Sequence, residues 1–356
     1  MTSIRGPHFP TLNRLDRLRA RRVDPVEQYM LKAAGANEVY ERMQESSSAI
    51  KYAIGAMQPI DQAYTDNTYR EGERVRNQLD KNLGGHSLVC EFDYQGSVTN
   101  DTHIRARSDI DLLTLHCAFV SLDPPQRPSP PYQGNPVDDL LRLRLASIAV
   151  LKAQFPGATV DFTGSKSVCI EGGSLRRKID VVASNWCDTN EYARTRMKRD
   201  RGIHILDAHK RERLRNLPFL HNDRLHNKDQ RTIGGYRKAV RLLKSLKYDS
   251  DAGVDQSSYD IAAIVYAMTD ESLMVMRGME LVLVDSCKQH LDFLANNQPY
   301  RESLEVPNGT RKVFCAGGAT LTGLNQLRRE VDKLRYDIEN DLSRSFRKLA
   351  AARVEY

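Results

Sequence analysis

The sequence predicts an α+β protein of two lobes, a mixed β-sheet lobe followed by a helical lobe. Between residues 86 and 185, short segments rich in β-branched residues alternate with glycine-containing turns, as in strands of a sheet. The same region contains one long amphipathic pattern, which suits a single crossover helix. Beyond residue 190, long helical patterns dominate, and a length of 356 residues allows two domains.

The N-terminal segment predicts a flexible basic arm over residues 1–35, followed by a long helix from residue 36. In that helix apolar residues recur at a spacing close to 3.6 residues, at Val39, Met43, Ile50, Ile54 and Met57. Pro59 predicts a break or kink, because proline lacks the amide hydrogen that continues a helix. The helical pattern that follows is expected to end at Gly84-Gly85.

The sheet region predicts five strands. The segment "HSLVCEFDYQGS" is typical of a strand entering a Gly-Ser turn, and "SDIDLLTLHCAFV" is typical of a second strand. A loop over 123–136 holds six prolines, and the helix "VDDLLRLRLASIAVLKAQF" follows it. Three short strands come next, in "ATVDFTG", "KSVCIEG" and "RRKIDVVASN". The segment "TGSKS" at 163–167 predicts a turn between strands rather than a P-loop, because Ala158 stands where that motif needs glycine.

The chain after residue 190 predicts helices to its end, so we expect a catalytic lobe over 36–200 and a helical lobe over 201–356. The segment 194–215 holds nine lysines and arginines, and we interpret it as a solvated face because no aromatic residues interleave with them. His204 and His209 are five residues apart, a spacing that suits no metal site on a helix.

The composition favours a cytoplasmic protein that binds phosphate-bearing ligands. The 53 basic and 46 acidic residues give a net charge of +7, which is modest for a protein that follows a long nucleic acid template. The six cysteines form no C-x-x-C pair, which argues for reduced thiols rather than disulfides or zinc. No apolar run reaches the roughly 18–20 residues that a membrane span requires.

Three carboxylates suggest a metal site. Asp109 and Asp111 lie two residues apart in a predicted strand, so their side chains project from the same face. Asp180 interrupts a later β-branched strand, and all three acids converge if the two strands are neighbours. Clustered carboxylates repel one another unless they are protonated, solvated or bound to a cation, and magnesium prefers such oxygen ligands. The Gly96-Ser97 turn offers backbone amides and a hydroxyl to phosphate oxygens.

The run "GS…T.I..RSDIDL", followed by a lone aspartate in a later strand, resembles the DNA polymerase β-like nucleotidyltransferases. Within them the chain is similar to the cGAS/DncV-like group, which makes cyclic di- and trinucleotide signals in bacterial antiphage defence. The resemblance covers roughly residues 36–345, and "QGSVTNDTHI", with Gln95 and Thr102, is its most specific part.

The resemblance implies a bilobal polymerase β-like fold and roles for several residues. Asp109 and Asp111 would hold two magnesium ions, for which manganese can substitute, and Asp180 would complete the site and activate the attacking ribose hydroxyl. Gln95, Gly96 and Ser97 would hold the triphosphate. The implied partners are NTP substrates, with ATP among them, and a downstream effector that responds to the diffusible product. A regulatory protein partner is left open, and neither a membrane nor a nucleic acid template is expected.

A second match lies in "GGYRKAVRLLKSLKY", where Arg237, Arg241 and Lys244 fall on one helical face. In the family a lysine on this helix contacts the triphosphate, as does a serine early in the next helix, and a neighbouring tyrosine stacks on the base. The resemblance assigns these roles to Lys244, Ser258 and Tyr259. By themselves, the three basic residues fit an ordinary solvated face better than a binding site.

Three functions remain open at this stage. The first is a magnesium-dependent synthase of a cyclic di- or trinucleotide. The second keeps the fold and changes the acceptor, as in a linear oligoadenylate or poly(A) synthase or an enzyme that nucleotidylates a protein or drug. The third is a degenerate scaffold without activity, against which the presence of all three carboxylates argues.

Overall fold

The computed structural model describes residues 12–24, 38–43 and 47–352. They belong to two compact units, one comprising Asp61–His226 and the other Met1–Ile60 with Asn227–Tyr356. We call the first the sheet unit and the second the helical unit. These limits differ from the expected domains, since residues 36–60 join the helical unit and residues 201–226 join the sheet unit.

The sheet unit contains eight strands and the helices that cover them. The strands are β1 (Cys90–Gln95), β2 (Ile110–His116), β3 (Ser121–Leu122), β4 (Thr159–Asp161), β5 (Val168–Gly172), β6 (Leu175–Asp188), β7 (Gly202–Asp207) and β8 (Glu212–Asn216). The helices are α3 (Gln62–Leu83), α4 (Pro136–Gln154), α5 (Asn190–Thr195) and α6 (Pro218–Arg231), the last of which crosses the limit between the units. Two short 3₁₀ helices, Gly84–His86 and Lys198–Asp200, complete the unit.

The sheet has the order β1-β2-β6-β5-β4, while β3 and β7 also pair with β6, and β8 pairs with β7. Strands β2 and β6 are parallel, and β1–β2 and β5–β6 are antiparallel, so the sheet is mixed as predicted. Helix α4 lies between β2 and β6 in the chain and provides the crossover that a parallel pair requires.

Alternation along the strands gives the sheet two different faces. On one face, Ile110, Leu112, Ile179 and Val181 pack with apolar residues of α3 and α4 in the main core. On the other face, Leu113, Leu115, Val182 and Trp186 form a smaller cluster with Ile203 and Phe219. Asp111 and Asp180 alternate with the main-core residues and therefore lie on the face of the smaller cluster.

The helical unit contains the other helices of the described residues. They are α1 (Leu12–Arg22), α2 (Ser48–Met57), α7 (Gly235–Tyr248), α8 (Ser258–Tyr266), α9 (Asp270–Leu273), α10 (Val282–Asn296), α11 (Gln298–Ser303) and α12 (Leu321–Ala352), with a 3₁₀ turn at Val39–Arg42. Helix α2 packs against α1, α7 and α12. Among the described residues, no helix is both long enough and apolar enough to cross a membrane.

Several predictions are confirmed. The chain breaks between α2 and α3 around Pro59, and α3 ends at Leu83, next to Gly84-Gly85. The five predicted strands correspond to β1, β2, β4, β5 and β6, and residues 163–167 link antiparallel β4 and β5. All six cysteines are free thiols.

The prediction of a flexible arm is wrong for residues 12–22, which form α1; residues 1–11 and 25–35 lie outside the described part. Leu15 and Leu18 are buried, and Arg22 donates to the carbonyl oxygens of Gln58 and Pro59 at 3.0 and 2.5 Å. Apolar packing and these hydrogen bonds hold the segment in place. The basic composition of the segment does not reveal this packing.

The prediction of one continuous helix from residue 36 is also wrong. Met43 and Ser47 have extended backbone conformations, and α2 begins only at Ser48. The Ser47 hydroxyl accepts a hydrogen bond from the amide of Ile50, so this serine caps the helix and sets its start.

Helices were expected to dominate after residue 190, and α5 begins there, but 202–216 forms the β7–β8 hairpin instead. The side chain of Asp207 accepts hydrogen bonds from the amides of His209 and Lys210 and so fixes the turn. Strand β7 pairs with β6, with Ile203 opposite Trp186. This long-range pairing overrides the weak helical pattern of a segment rich in charged residues.

Candidate active site

Strand pairing brings Asp111 and Asp180 together. They are direct partners in the parallel β2–β6 ladder, and Gln95, the last residue of β1, lies opposite Asp111 on its other side. Asp109 immediately precedes β2 and is two residues from Asp111, so it extends the same row of carboxylates. The three aspartates predicted from the sequence therefore share one end of one sheet face.

Gly96 touches this row directly. Its backbone has a φ of +98°, a conformation that residues with a side chain rarely adopt. A β-carbon at this position would lie 2.6 Å from Oδ2 of Asp111. Glycine is thus required both by the turn and by the close approach of the carboxylate.

The Gly-Ser turn is a compact structure. The amide of Thr102 donates to the carbonyl oxygen of Ser97 at 2.9 Å, and the Thr99 hydroxyl donates to the carbonyl oxygen of Gly96 at 2.8 Å. Val98 is 3% exposed and anchors the turn in the main core. Gly96 and Ser97 therefore occupy a fixed position next to the carboxylates.

Lys178 is a close cation that was not predicted from the sequence. Its Nζ lies 3.2 Å from Oδ2 of Asp180 and 3.5 Å from Oδ2 of Asp109. Arg105 is farther away, with a guanidinium nitrogen 3.9 Å from Oδ2 of Asp109. The signal was present in "RRKIDVV", since Lys178 stands two residues before Asp180 and must share its face.

The electrostatic environment of the site strongly affects the pKa of Asp111. Burial, and then the negative charges of Asp180 and Asp109, raise its pKa from 3.8 to about 7, while Lys178 partly opposes the shift. The carboxylate is thus costly to ionise without a nearby cation. A site that raises the pKa of an acid in this way is suited to bind positive charge.

The residues fit a divalent cation in their donor type and charge. Three oxygen-donor carboxylates share one face, and an ammonium group already lies between two of them. Among the described residues, no group of three or more His, Cys, Asp or Glu side chains is already gathered in a metal-binding arrangement. The Lys178 ammonium lies against oxygens of Asp109 and Asp180 that a metal would need.

The other predicted nucleotide-binding residues lie in the helical unit. Lys244 is on α7, Ser258 is the first residue of α8, and Tyr259 follows it. Lys244 is 7% exposed, whereas Ser258 is exposed. The Tyr259 hydroxyl is hydrogen bonded to Asn308, and the Arg311 guanidinium lies 5.3 Å from the ring centroid.

The basic residues of α7 do not form a solvated face. Arg241 is 4% exposed and donates from Nε to the carbonyl oxygen of Met57 at 2.8 Å, and Arg237 pairs with Asp229 at 3.0 Å. Leu242, Leu243 and Leu246 are buried. Arg241 and Arg237 therefore have structural partners within the helical unit.

No family model matches the chain. A protein of Yersinia aleksiciae named cyclic dinucleotide synthase CdnE is 41% identical over 299 residues, which span 82% of this chain and 78% of the relative. A c-di-GMP synthase of Lachnospiraceae bacterium (strain RUG226) is 28% identical and covers 84% of this chain and 93% of its own. The chain belongs to the cGAS/DncV-like nucleotidyltransferases. A solved structure agrees: the STING-associated CdnE c-di-GMP synthase of Capnocytophaga granulosa has a TM-score of 0.73 and 25% identity over 94% of this chain and 99% of that one.

Membership of this family confirms the predicted fold class and the predicted activity. The protein is a nucleotidyltransferase of cyclic dinucleotide synthesis, so the linear synthases, the nucleotidylating enzymes and the inactive scaffold are set aside. NTPs are its substrates, and the family's nucleotidyl transfer requires a divalent metal in general.

Proposed function

We propose that the protein joins two GTP molecules into cyclic di-GMP, using divalent magnesium at Asp109, Asp111 and Asp180. One structural observation carries the assignment of the site: Asp111 pairs directly with Asp180 and shares the face of Asp109, beside the Gly96 turn. The Lachnospiraceae relative, a c-di-GMP synthase, supports the choice of guanine nucleotides.

The proposed chemistry is two successive nucleotidyl transfers. In each, a ribose hydroxyl oxygen forms a bond to the α-phosphorus of a donor, the bond to pyrophosphate breaks, and the hydroxyl proton passes to the Asp180 carboxylate. The second transfer closes the ring. When bound, two magnesium ions, or manganese in their place, neutralise the charge that develops on the phosphoryl oxygens.

The remaining predicted residues position the nucleotide. Gly96 and Ser97 offer the turn's amides and a hydroxyl to the triphosphate, and we retain Gln95, opposite Asp111 at the end of β1, as a further nucleotide-binding residue. We retain Lys244 and Ser258 as triphosphate contacts and Tyr259 as a base contact, on the resemblance to the family. The exposed position of Ser258 at the start of α8 is compatible with that role.

The product is proposed to act on a downstream effector in antiphage signalling. The solved structure from Capnocytophaga granulosa is described as STING-associated, and we extend an effector of that kind to this enzyme. We assign the enzyme to the cytoplasm, where nucleoside triphosphates are available and its six free cysteines stay reduced.

The test is a product analysis of the full chain. The protein is incubated with magnesium and GTP, with ATP, or with both, and the mixture is treated with phosphatase and examined by mass spectrometry. We expect a phosphatase-resistant cyclic di-GMP, because a ring has no terminal phosphate. A mixed or adenine ring would correct the choice of bases, and products that are all degraded to nucleosides or linear oligomers would contradict cyclisation.

Variants connect the activity to the site. Asp109→Asn and Asp180→Asn should reduce product to the background of the assay while circular dichroism stays unchanged. Asp80→Asn, at an exposed position on α3 of the same unit, is the matched control and should keep full activity. Near-normal product from either site variant would remove that residue from the proposed mechanism.

A further inference from the structure

The pairing of its strand fixes the sheet face on which the Lys178 side chain projects. Strand β6 is paired on both sides, to β2 and to β5, and the neighbouring Ile179 lies opposite both Ile110 and Ile170. Ile179 is fully buried in the main core. Rotation of the strand would expose that core, so the Lys178 side chain must project on the face of Asp180.

The contacts of Lys178 are those of a counter-ion. Its ammonium lies 3.2 Å from Asp180 and 3.5 Å from Asp109 and so bridges two of the three carboxylates. The side chain is 35% exposed, and its ammonium stands at the end of a flexible four-carbon stem. The ammonium can therefore move off the carboxylates while the backbone stays fixed.

We propose that Lys178 is a positioning residue that serves as an internal counter-ion and competes with divalent cations for Asp109 and Asp180. In the metal-free protein it relieves the repulsion among the carboxylates. When a metal enters, the ammonium must leave these oxygens, and this displacement weakens the affinity for the metal alone. The inference rests on the proposed function only in that the three aspartates bind the metal.

The competition has a consequence for the order of binding. A nucleoside triphosphate brings several negative charges, which supply new partners for a displaced ammonium. Metal that arrives with nucleotide therefore meets less opposition from Lys178 than metal that arrives alone. The lysine thus favours binding of the metal together with the nucleotide over binding of the metal alone.

The experiment measures manganese affinity without nucleotide, using electron paramagnetic resonance of free Mn²⁺ with the full chain. Removing one charge from this partly exposed site should tighten Mn²⁺ binding roughly three- to tenfold in Lys178→Met. Lys178→Arg keeps the charge and should stay near the wild-type value. Lys210→Met removes an exposed charge that pairs with Glu212, and it should change nothing.

Lys178→Gln provides a second neutral variant if the methionine variant fails to fold. Unchanged or weaker Mn²⁺ binding in the folded neutral variant would overturn the proposal, even if the wild type makes the cyclic product. No Mn²⁺ binding by either the wild type or the neutral variant would overturn both this proposal and the metal site. Tighter binding in a protein that makes no cyclic product would uphold the role of Lys178 and overturn only the proposed function.

Discussion

Asp111 is restricted on two sides by its neighbours. Gly96 leaves just enough space for its carboxylate, since even a β-carbon would lie 2.6 Å from Oδ2. On the neighbouring strand, Asp180 places a second carboxylate directly beside it in the ladder. The residue is therefore held in a position where its negative charge is unfavourable until a cation arrives.

Gly96→Ala should damage the site through both backbone and contact. The positive φ and the close approach to Asp111 should lower the free energy of unfolding by about 1–3 kcal/mol, and the displaced carboxylate should lose Mn²⁺ affinity and turnover. Thermal unfolding and Mn²⁺ titration measure the two effects. Gly85→Ala is the control, because a β-carbon there meets nothing within 4 Å. Equal behaviour of the two variants would show that the Gly96 contact does not matter.

The pKa of Asp111 predicts how the stability of the metal-free protein varies with pH. Because the folded pKa of about 7 lies above the usual 3.8, the folded state retains a proton that the unfolded state loses. Stability from this group is therefore lost as pH rises from about 4 to about 7, by roughly 2–4 kcal/mol in total. Asp111→Asn removes the titration, so in EDTA the variant should gain stability over the wild type as pH rises.

The measurement is the difference in melting temperature between wild type and Asp111→Asn from pH 5 to pH 8. The difference is needed because burial lowers the pKa of His204, His221 and His290 to about 4, which makes stability rise with pH below about 6.5. Those histidines are common to both proteins and cancel. A difference that does not grow with pH would show that the pKa of Asp111 is near its usual value.

At the scale of elements, the strand β6 organises the sheet unit. It is the longest strand at 14 residues, and it pairs with β2, β3, β5 and β7. It also carries both Lys178 and Asp180. In the helical unit, α7 has a comparable position, since it packs against α2, α8, α10 and α12. A buried ionic network lies at the end of α7.

Asp249, which ends α7, connects that helix to α1 and α2. Its carboxylate accepts hydrogen bonds from Nη1 of Arg21 at 2.6 and 2.7 Å and from the Tyr52 hydroxyl at 2.7 Å. Asp249 and Arg21 are 0% and 4% exposed. Asp249→Ala would leave the Arg21 charge buried without its partner, so we expect a loss of about 3–5 kcal/mol of unfolding free energy.

The control for this network is Asp251→Ala. Asp251 pairs with Arg17 at 2.6 Å, but the two side chains are 68% and 44% exposed. Such a pair contributes only about 0–1 kcal/mol because water screens it. Urea denaturation of both variants measures the contrast, and losses of similar size would mean that burial of the Arg21–Asp249 pair has no special effect.

In the whole molecule, one compact unit is continuous in sequence and the other is formed from two separate segments of the chain. The sheet unit is continuous from Asp61 to His226, and it holds all three carboxylates, the Gly-Ser turn and Lys178. The helical unit is discontinuous, because segments before Ile60 pack with elements after Asn227. Helix α1 is part of that packing through the Arg21–Asp249 pair. Sequence order therefore does not coincide with the division into units.

Features that depend on local periodicity could be predicted from the sequence alone. The two-residue repeat of a strand places Asp109 and Asp111 on one face, and the Gly-Ser pair marks the turn before them. The same local signals located α4, five of the strands and the break at Pro59. The resemblance in "QGSVTNDTHI" and "RSDIDL" then led to the family to which the chain belongs.

Which distant residues meet depends on the tertiary structure and could not be predicted from local patterns. The pairing of Asp111 with Asp180, the bridge that Lys178 forms to Asp109, and the bond from Arg241 to Met57 all join separate segments. So does the pairing of β7 with β6, which turned a segment rich in charged residues into a hairpin. Local patterns state which face a side chain occupies, but its partner is chosen by the burial and hydrogen bonding of the whole chain. The spacing in β6 thus puts Lys178 on the face of Asp180, but its position between two carboxylates depends on the pairing of β6 with β2.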